Sequence, residues 1–291
     1  MIFQNHTMPR TTDWIDFYVD PLLESGERFV IQHGTYTTKI VTAKKKYVFT
    51  NAQFRERVFI AAAMVKKDCH NSGLLDEILA NKHYRVNYSN TDSVTEYLAD
   101  EIYNIDIKSA YATCLYQSGL ICKKTFDYIN HLAKEERLPA VGMLARSYVK
   151  YVYEHGKCQL VDSFKEPTAE VFYYLIQQID LIMRDLKFIL GQYFIFYWVD
   201  GIFFKKDTPR HLIQKVQNHL TELGYRYSYE VCREFLFENN DGNCRVLLVK
   251  DDELKDYRFA DSQLNDRYLN KHLFEKMEKT LKETHDEQKK N

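Results

Sequence analysis

The chain has 291 residues, with 40 Lys and Arg against 41 Asp and Glu and a formal charge of −1. A hydrophobic fraction of 45% is enough for a buried core and excludes wholesale disorder, and no apolar run approaches the roughly 20 residues of a membrane span. Six cysteines, at 69, 114, 122, 158, 232 and 244, show no Cys-x-x-Cys and no paired-histidine spacing, which argues against a zinc site or disulfide framework. They read as reduced thiols of a cytoplasmic protein, and Met1–Arg10 lacks the charged-then-apolar order of a secretory signal.

Residues 28–50 alternate polar and apolar side chains, which predicts two strands. The span from Arg28 to Ser72 is strongly basic: Arg28, Lys39, Lys44, Lys45, Lys46, Arg55, Arg57, Lys66 and Lys67 face only Glu56 and Asp68. Interleaved with Tyr36, Tyr47 and Phe54, the run suits phosphate contact with stacking, though a basic run is also an ordinary solvated surface. Lys44, Lys45 and Lys46 fall at an expected hairpin turn. From Ala52 to about His70 an apolar stripe at Phe54, Val58, Ala61, Ala62 and Val65 predicts a helix, which Asn71-Ser72-Gly73 ends. Further helices are expected at Leu74–Ala80 and, capped by Asp92, at Ser93–Ala99. A strand over Ile102–Ile107 contains Asp106, and helical segments follow at about 109–133 and 138–154.

Glu166-Pro167-Thr168 opens a long helix to Leu190, apolar at Val171, Leu175, Ile179, Ile182, Leu186 and Ile189, and Gly191 closes it. Tyr193–Trp198, a turn around Val199-Asp200-Gly201 and Ile202–Phe204 read as a hairpin. Thr208-Pro209 starts a helix that Gly224 ends. Strands are expected at Tyr225–Val231, Glu234–Glu238 and Arg245–Lys250, and one charged helix from Asp261 onward.

Two carboxylates lie where a strand gives way to a turn. Each alone has an ordinary role: Asp-Gly favours hairpin turns, and Asp after a strand often caps a helix. As a pair, Asp106 and Asp200 are what a two-cation phosphoryl-transfer site requires. Carboxylates hold hard cations through oxygen, and two such ions about 4 Å apart clamp the attacking and leaving oxygens.

The surrounding residues carry a resemblance. Asp106-Ile107-Lys108-Ser109-Ala110-Tyr111-Ala112-Thr113 resembles motif A of family B DNA polymerases, Asp-x-x-Ser-Leu-Tyr-Pro-Ser. Tyr197-Trp198-Val199-Asp200-Gly201-Ile202-Phe203 resembles their motif C, Tyr-x-Asp-Thr-Asp-Ser, and Lys255-Asp256-Tyr257 their Lys-x-Tyr motif. Glu230 also suits the pattern. The match spans roughly residues 100–260 and departs in three ways. Trp198 replaces the first motif C aspartate, Ala110 and Ala112 replace the usual Leu and Pro, and the Lys-x-x-x-Asn-Ser-x-Tyr-Gly fingers motif has no clean counterpart.

The resemblance implies an α+β polymerase palm, an antiparallel sheet with helices on one face. A basic N-terminal α/β region over 1–100 would precede the palm at 101–260, with a small fingers insertion at about 115–165 and a short helical thumb over 261–291. It implies a template-directed DNA polymerase of a miniature viral or mobile-element kind, acting in the bacterial or host cytosol without a proofreading exonuclease. Asp106 and Asp200 would be catalytic and would hold two Mg2+ ions, or Mn2+. Ser109, Ala110 and Tyr111 would meet the dNTP, with Tyr111 beneath its sugar, and Arg137 and Arg146 are the fingers candidates ahead of Lys134 and Lys150. Lys255 and Tyr257 would contact the primer, and Lys44, Lys45 and Lys46 the DNA primer–template backbone; replication accessory proteins are further candidate partners. Two alternatives stay open: another palm enzyme, a reverse transcriptase or primase-polymerase, and a palm-derived nucleic-acid-binding or assembly protein without catalysis.

Overall fold

In a computed structural model, residues 2–7, 18–34, 37–50, 56–81, 84, 89–90, 96–155, 157–240, 243–250 and 252–260 are described. The chain begins with β1 (Ile2–Thr7), α1 (Asp20–Ser25), β2 (Phe29–Gly34), β3 (Thr37–Thr42) and β4 (Lys45–Thr50). Next come α2 (Glu56–Asn71), α3 (Leu75–Ala80), β5 (Ser89–Asn90), β6 (Glu96–Ile107), α4 (Ala110–Gln117), α5 (Lys123–Asn130) and α6 (Lys134–Gly142). Then follow β7 (Ser147–Glu154), β8 (Lys157–Lys165), α7 (Ala169–Leu190), β9 (Phe194–Trp198) and β10 (Gly201–Lys205). The last elements are α8 (Arg210–Glu222), β11 (Tyr227–Asn240), β12 (Asn243–Lys250) and β13 (Glu253–Ala260). The class is α+β, as expected, with sheets antiparallel in every pair except β1–β4. Among the described residues no helix is long and apolar enough to cross a membrane.

The chain forms two compact units that cut across the sequence boundary drawn at residue 100. One comprises Met1–Phe54, Arg146–Pro167 and Ser262–Asn291, and the other Arg55–Ala145 and Thr168–Asp261. The first holds a six-stranded sheet, ordered β1-β4-β3-β2-β7-β8. Period-2 alternation sends Phe29, Ile31, Ile40, Phe49 and Tyr153 to one face, where Val19 and Leu23 beside and within α1 complete the core. The basic stretch 28–50 therefore makes three strands where two are expected, because Gly34 and Thr42 each close a short β run.

The second unit holds a seven-stranded sheet, ordered β13-β12-β11-β6-β10-β9-β5. Within it β6, β9, β10 and β11, with α7 between β6 and β9 and α8 between β10 and β11, make a β-α-β-β-α-β unit of the split βαβ kind. The helix α7 forms because its apolar residues repeat at helical spacing, burying Val171, Leu175, Ile179, Met183, Leu186 and Leu190 while Phe188 stays 89% exposed. At Gly191 the chain turns left-handed, its N–H bonding the carbonyl of Lys187. From β9 the buried Tyr197 hydroxyl donates to Asp180 of α7, and Arg184 Nε holds the other carboxylate oxygen at 2.8 Å. Register places Tyr197, Ile202, Ile105 and Tyr229 opposite one another, so they share the sheet face turned to α7.

Several expected elements are corrected. The residues of the expected helix Ser93–Ala99 that are described, from Glu96 on, begin the long strand β6; tertiary pairing of Glu96–Glu101 with Arg233–Glu238 overrides local helical preference. The expected helix 138–154 ends at Gly142, and Ser147–Glu154 alternates aromatic and β-branched residues into β7. This β7–β8 hairpin, part of the expected fingers insertion, pairs with β2 and belongs to the six-stranded sheet. The strands expected at Tyr225–Val231 and Glu234–Glu238 fuse into β11, with a register shift against β12 and a left-handed Glu234 at φ 50° in place of the expected break. Beyond that point Phe235 and Phe237 stack on Phe196 and Phe203. The expected C-terminal helix lies outside the described residues, as does Arg55.

Candidate active site

The end of β6 is fixed from both sides. Its Asp106 pairs with Gly201 of β10 and Ser228 of β11, which puts their side-chain positions on one face, away from α7. Just past it, the Ile107 N–H donates to the Asp200 carbonyl at 2.9 Å and the Lys108 N–H to that of Arg226 at 2.7 Å. Backbone bonds of this kind bring the two aspartates to adjacent positions and hold them there. The hairpin turn is not the expected Asp-Gly. Trp198 and Gly201 are paired, so Val199 and Asp200 are the two loop residues, and Gly201 already belongs to β10.

Both carboxylates adjoin strained backbone. Val199, directly before Asp200, has φ 52°, and Ser109, three residues after Asp106, has φ 54°. A β-branched residue in the left-handed region is an outlier costing on the order of 1–3 kcal/mol, and such residues cluster at functional sites. Gly201 is not strained. A Cβ built there would lie 3.7 Å from Asp106 Oδ1, so a longer side chain at 201 would enter the space beside that carboxylate.

Electrostatics at the site are those of crowded anions held by cations. Burial first, and then the Asp106 charge, push the Asp200 carboxyl up to about 6, against the partial pull of its own backbone N–H and of the Lys134 and Lys108 ammoniums. Lys108 Nζ donates to Asp106 Oδ2 at 3.2 Å. Arg137 Nη1 donates to Ser109 Oγ at 2.6 Å, bringing a guanidinium to the loop after motif A. Both Lys134 and Arg137 start α6, which is anchored by the buried Glu136: its carboxylate takes 2.7 Å from Arg57 Nε of α2 and accepts the Ala133 N–H at 3.2 Å. Two strands away from β10, Glu230 forms an ion pair with Lys250; burial alone would raise its carboxyl, but the Lys250 hydrogen bond brings it below its ordinary value.

The sequence-derived candidates are thus divided. Asp106, Asp200, Ser109 and Arg137 come together, and Ala110 begins α4 beside them. Tyr111, one residue on, packs its half-buried ring against Phe172 of α7 at 5.7 Å. Arg146 belongs to the other unit, as do Lys150 and Lys44, Lys45 and Lys46, the last three at the β3–β4 turn. Lys255 and Tyr257 stand on β13, the edge strand three places from β6, where Lys255 pairs with Glu253 and Tyr257 is 43% exposed. Sequence reasoning gave no role to Lys108, although it stands inside the motif, and ranked Lys134 low. It also passed over Asn104, whose Nδ2 bonds the Ile202 carbonyl at 3.2 Å and ties β6 to β10 one alternation before Asp106. That spacing of two along a strand was the available signal.

Neither a protein-family model nor a curated protein matches the sequence.

Proposed function

We propose that the chain is a nucleotidyl transferase, a template-directed DNA polymerase that extends a primer 3′ hydroxyl from dNTPs without proofreading. The observation that carries this reading is the register that sets Asp106 against Gly201 and so brings Asp200 alongside. Two carboxylates, one desolvated and repelled by the other, form a site whose electrostatic deficit a cation relieves.

The donor set fits magnesium. Among the described residues there is no group of three or more His, Cys, Asp and Glu suited to a metal, so a cation here would rest on Asp106 and Asp200. Mg2+ characteristically binds through one or two carboxylates and completes its shell with water and substrate phosphates. Bound there, Mg2+ ions, or Mn2+, would neutralise the oxygens that attack and leave phosphorus. The chain's own part is positioning. Lys108 holds the Asp106 carboxylate oriented, and Lys134 and Arg137 present positive charge to a triphosphate from α6. The Ser109 hydroxyl and first-turn amides of α4 would receive phosphate oxygens. Tyr111, steadied by Phe172, is the candidate for sensing the 2′ position of the sugar.

Primer extension by the purified chain with Mg2+ and a labelled primer–template tests the reading. Extension by the parent, with none from Asp106→Asn or Asp200→Asn, is the expected result. Extension that survives either substitution at the parental rate would refute it.

A further inference from the structure

In the six-stranded sheet the alternation that fills the core also determines the opposite face. Strand register groups that face into rows. One row runs Val48, Lys39, Gln32, Lys150 and Asp162 across β4, β3, β2, β7 and β8, and the next begins at Lys46 and continues through Val41, Val30 and Val152. A third carries Tyr148 beside Phe164, their rings stacked at 5.5 Å and 21°, with the Arg146 guanidinium over Phe164 at 5.9 Å. Apart from the exposed Arg146 and Asp162, the side chains in these rows are partly exposed. Gly34 is paired with Tyr148 and contributes no side chain beside its ring.

Among the described residues, cations outnumber acids on this face. Lys39, Lys46, Lys150 and Arg146 share it with two acids along the strands: Asp162, which accepts the Tyr148 hydroxyl at 3.0 Å, and Glu154, which is paired with Arg28. Lys39 and Lys150 form no ion pair among the described residues. Gln32 stands between them, and strands about 4.8 Å apart put their Cα atoms roughly 10 Å from each other. Among the described strands, Lys39 and Lys150 are spaced with the uncharged Gln32 between them, in the row next to a partly exposed aromatic pair.

We propose that this face binds single-stranded nucleic acid, with Lys39, Lys46, Lys150 and Arg146 following the phosphates and Tyr148 and Phe164 stacking bases. A stacking platform beside a basic track is what a single strand needs: every unpaired base offers a π-face, whereas bases in a duplex are already stacked. A protein partner would leave the lysine rows without the regular anionic spacing that a backbone supplies. The inference is independent of the carboxylate pair and holds whether or not the chain catalyses transfer.

Fluorescence anisotropy on the full chain tests it, with labelled oligothymidylate, oligouridylate and a duplex of equal length titrated across a range of salt. Single strands should bind more tightly than duplex, and the two single-stranded probes reveal whether DNA or RNA is preferred. In Lys39→Ala/Lys150→Ala the slope of log affinity against log salt should fall by about 1.4, at about 0.7 for each single-strand phosphate that is no longer neutralised. Tyr148→Ala/Phe164→Leu should weaken single-strand binding roughly tenfold and leave duplex binding nearly unchanged. Asp200→Asn should bind as the parent does, so a failure of catalysis stays separable from a failure of this face. Absence of single-strand binding, a preference for duplex, or an unchanged salt slope in the double-lysine variant overturns the proposal. If the aromatic variant does not fold, the lysine variant decides alone, since its substitutions lie outside the core.

Discussion

In the seven-stranded sheet, the face turned away from α7 ends in Asp106, with Asp200 at the neighbouring turn; in the six-stranded sheet, the face turned away from the core carries Lys39, Lys46 and Lys150. Both follow one rule, since a strand that buries alternate residues must present the others. They differ in how charge is accommodated. Left-handed Val199 and Ser109 flank the aspartates, and at Asp200 burial and the Asp106 charge outweigh the pull of Lys134 and Lys108. The lysines stand on unstrained strands at partly exposed positions, where a long side chain can keep its ammonium hydrated at little energetic expense. The first arrangement stores unfavourable energy and fits chemistry. The second stores none and fits binding.

Breaking the first arrangement should give the largest effect. Asp106→Asn or Asp200→Asn should lower single-turnover incorporation by several orders of magnitude while affinity for primer–template stays within about twofold, because duplex affinity rests on phosphate contacts elsewhere.

The same substitution at 200 should act on stability in the opposite sense. The folded carboxyl titrates near 6 against an ordinary 3.8, so between these values the folded state holds a proton that the unfolded state has released. The metal-free protein should therefore lose stability as pH rises from about 4 to about 6, by something on the order of 2–3 kcal/mol. Asp200→Asn should remove that dependence, being more stable than the parent at pH 7 and no different below about pH 4. Urea unfolding across this range measures it, and Mg2+ should narrow the gap at neutral pH by stabilising only the parent. A parental profile flat from pH 4 to pH 7 would contradict the crowded-anion picture.

The turn that carries Asp200 is secured from the helix side. Tyr197→Phe removes the hydroxyl from the buried Asp180 carboxylate, which Arg184 still holds, and should destabilise the fold by about 1–2 kcal/mol in denaturant titration. If incorporation also slows when the variant is fully folded, the Asp180 contact positions the turn as well as stabilising it.

Tyr111→Ala asks whether the ring against Phe172 belongs to the site or to the core. Its removal should raise incorporation of NTP relative to dNTP with modest loss of dNTP use. An unchanged ratio together with lowered stability would assign the ring to packing.

The smallest effect is expected at the β3–β4 turn. Lys44 and Lys45 are exposed there, and Lys46 lies in the rows of the basic face. Replacing all three with Ala should weaken nucleic-acid binding irrespective of sequence and flatten its salt dependence, more mildly per residue than the change at Lys39 and Lys150. A larger effect from the turn than from the face would move the main contact to the turn.

Much of this is legible in the chain itself. The apolar repeat of α7, the hairpin around Asp200 and the strand ending at Asp106 are local patterns, set by helical or alternating spacing and by turn chemistry, and each lies where its pattern predicts. Tertiary pairing decided what local pattern could not. Glu96–Glu101 is a strand because Arg233–Glu238 lies alongside, and Ser147–Glu154 is a strand because β2 offers it an edge. Arg137 reaches Ser109 only because Glu136 anchors α6 to Arg57, a contact 79 residues distant in sequence. Lys39 and Lys150 share a face only through their common neighbour Gln32. Side-chain chemistry is written along the chain, but which charges meet is fixed by hydrogen-bond register between distant segments, and a single-residue slip would turn either face inside out.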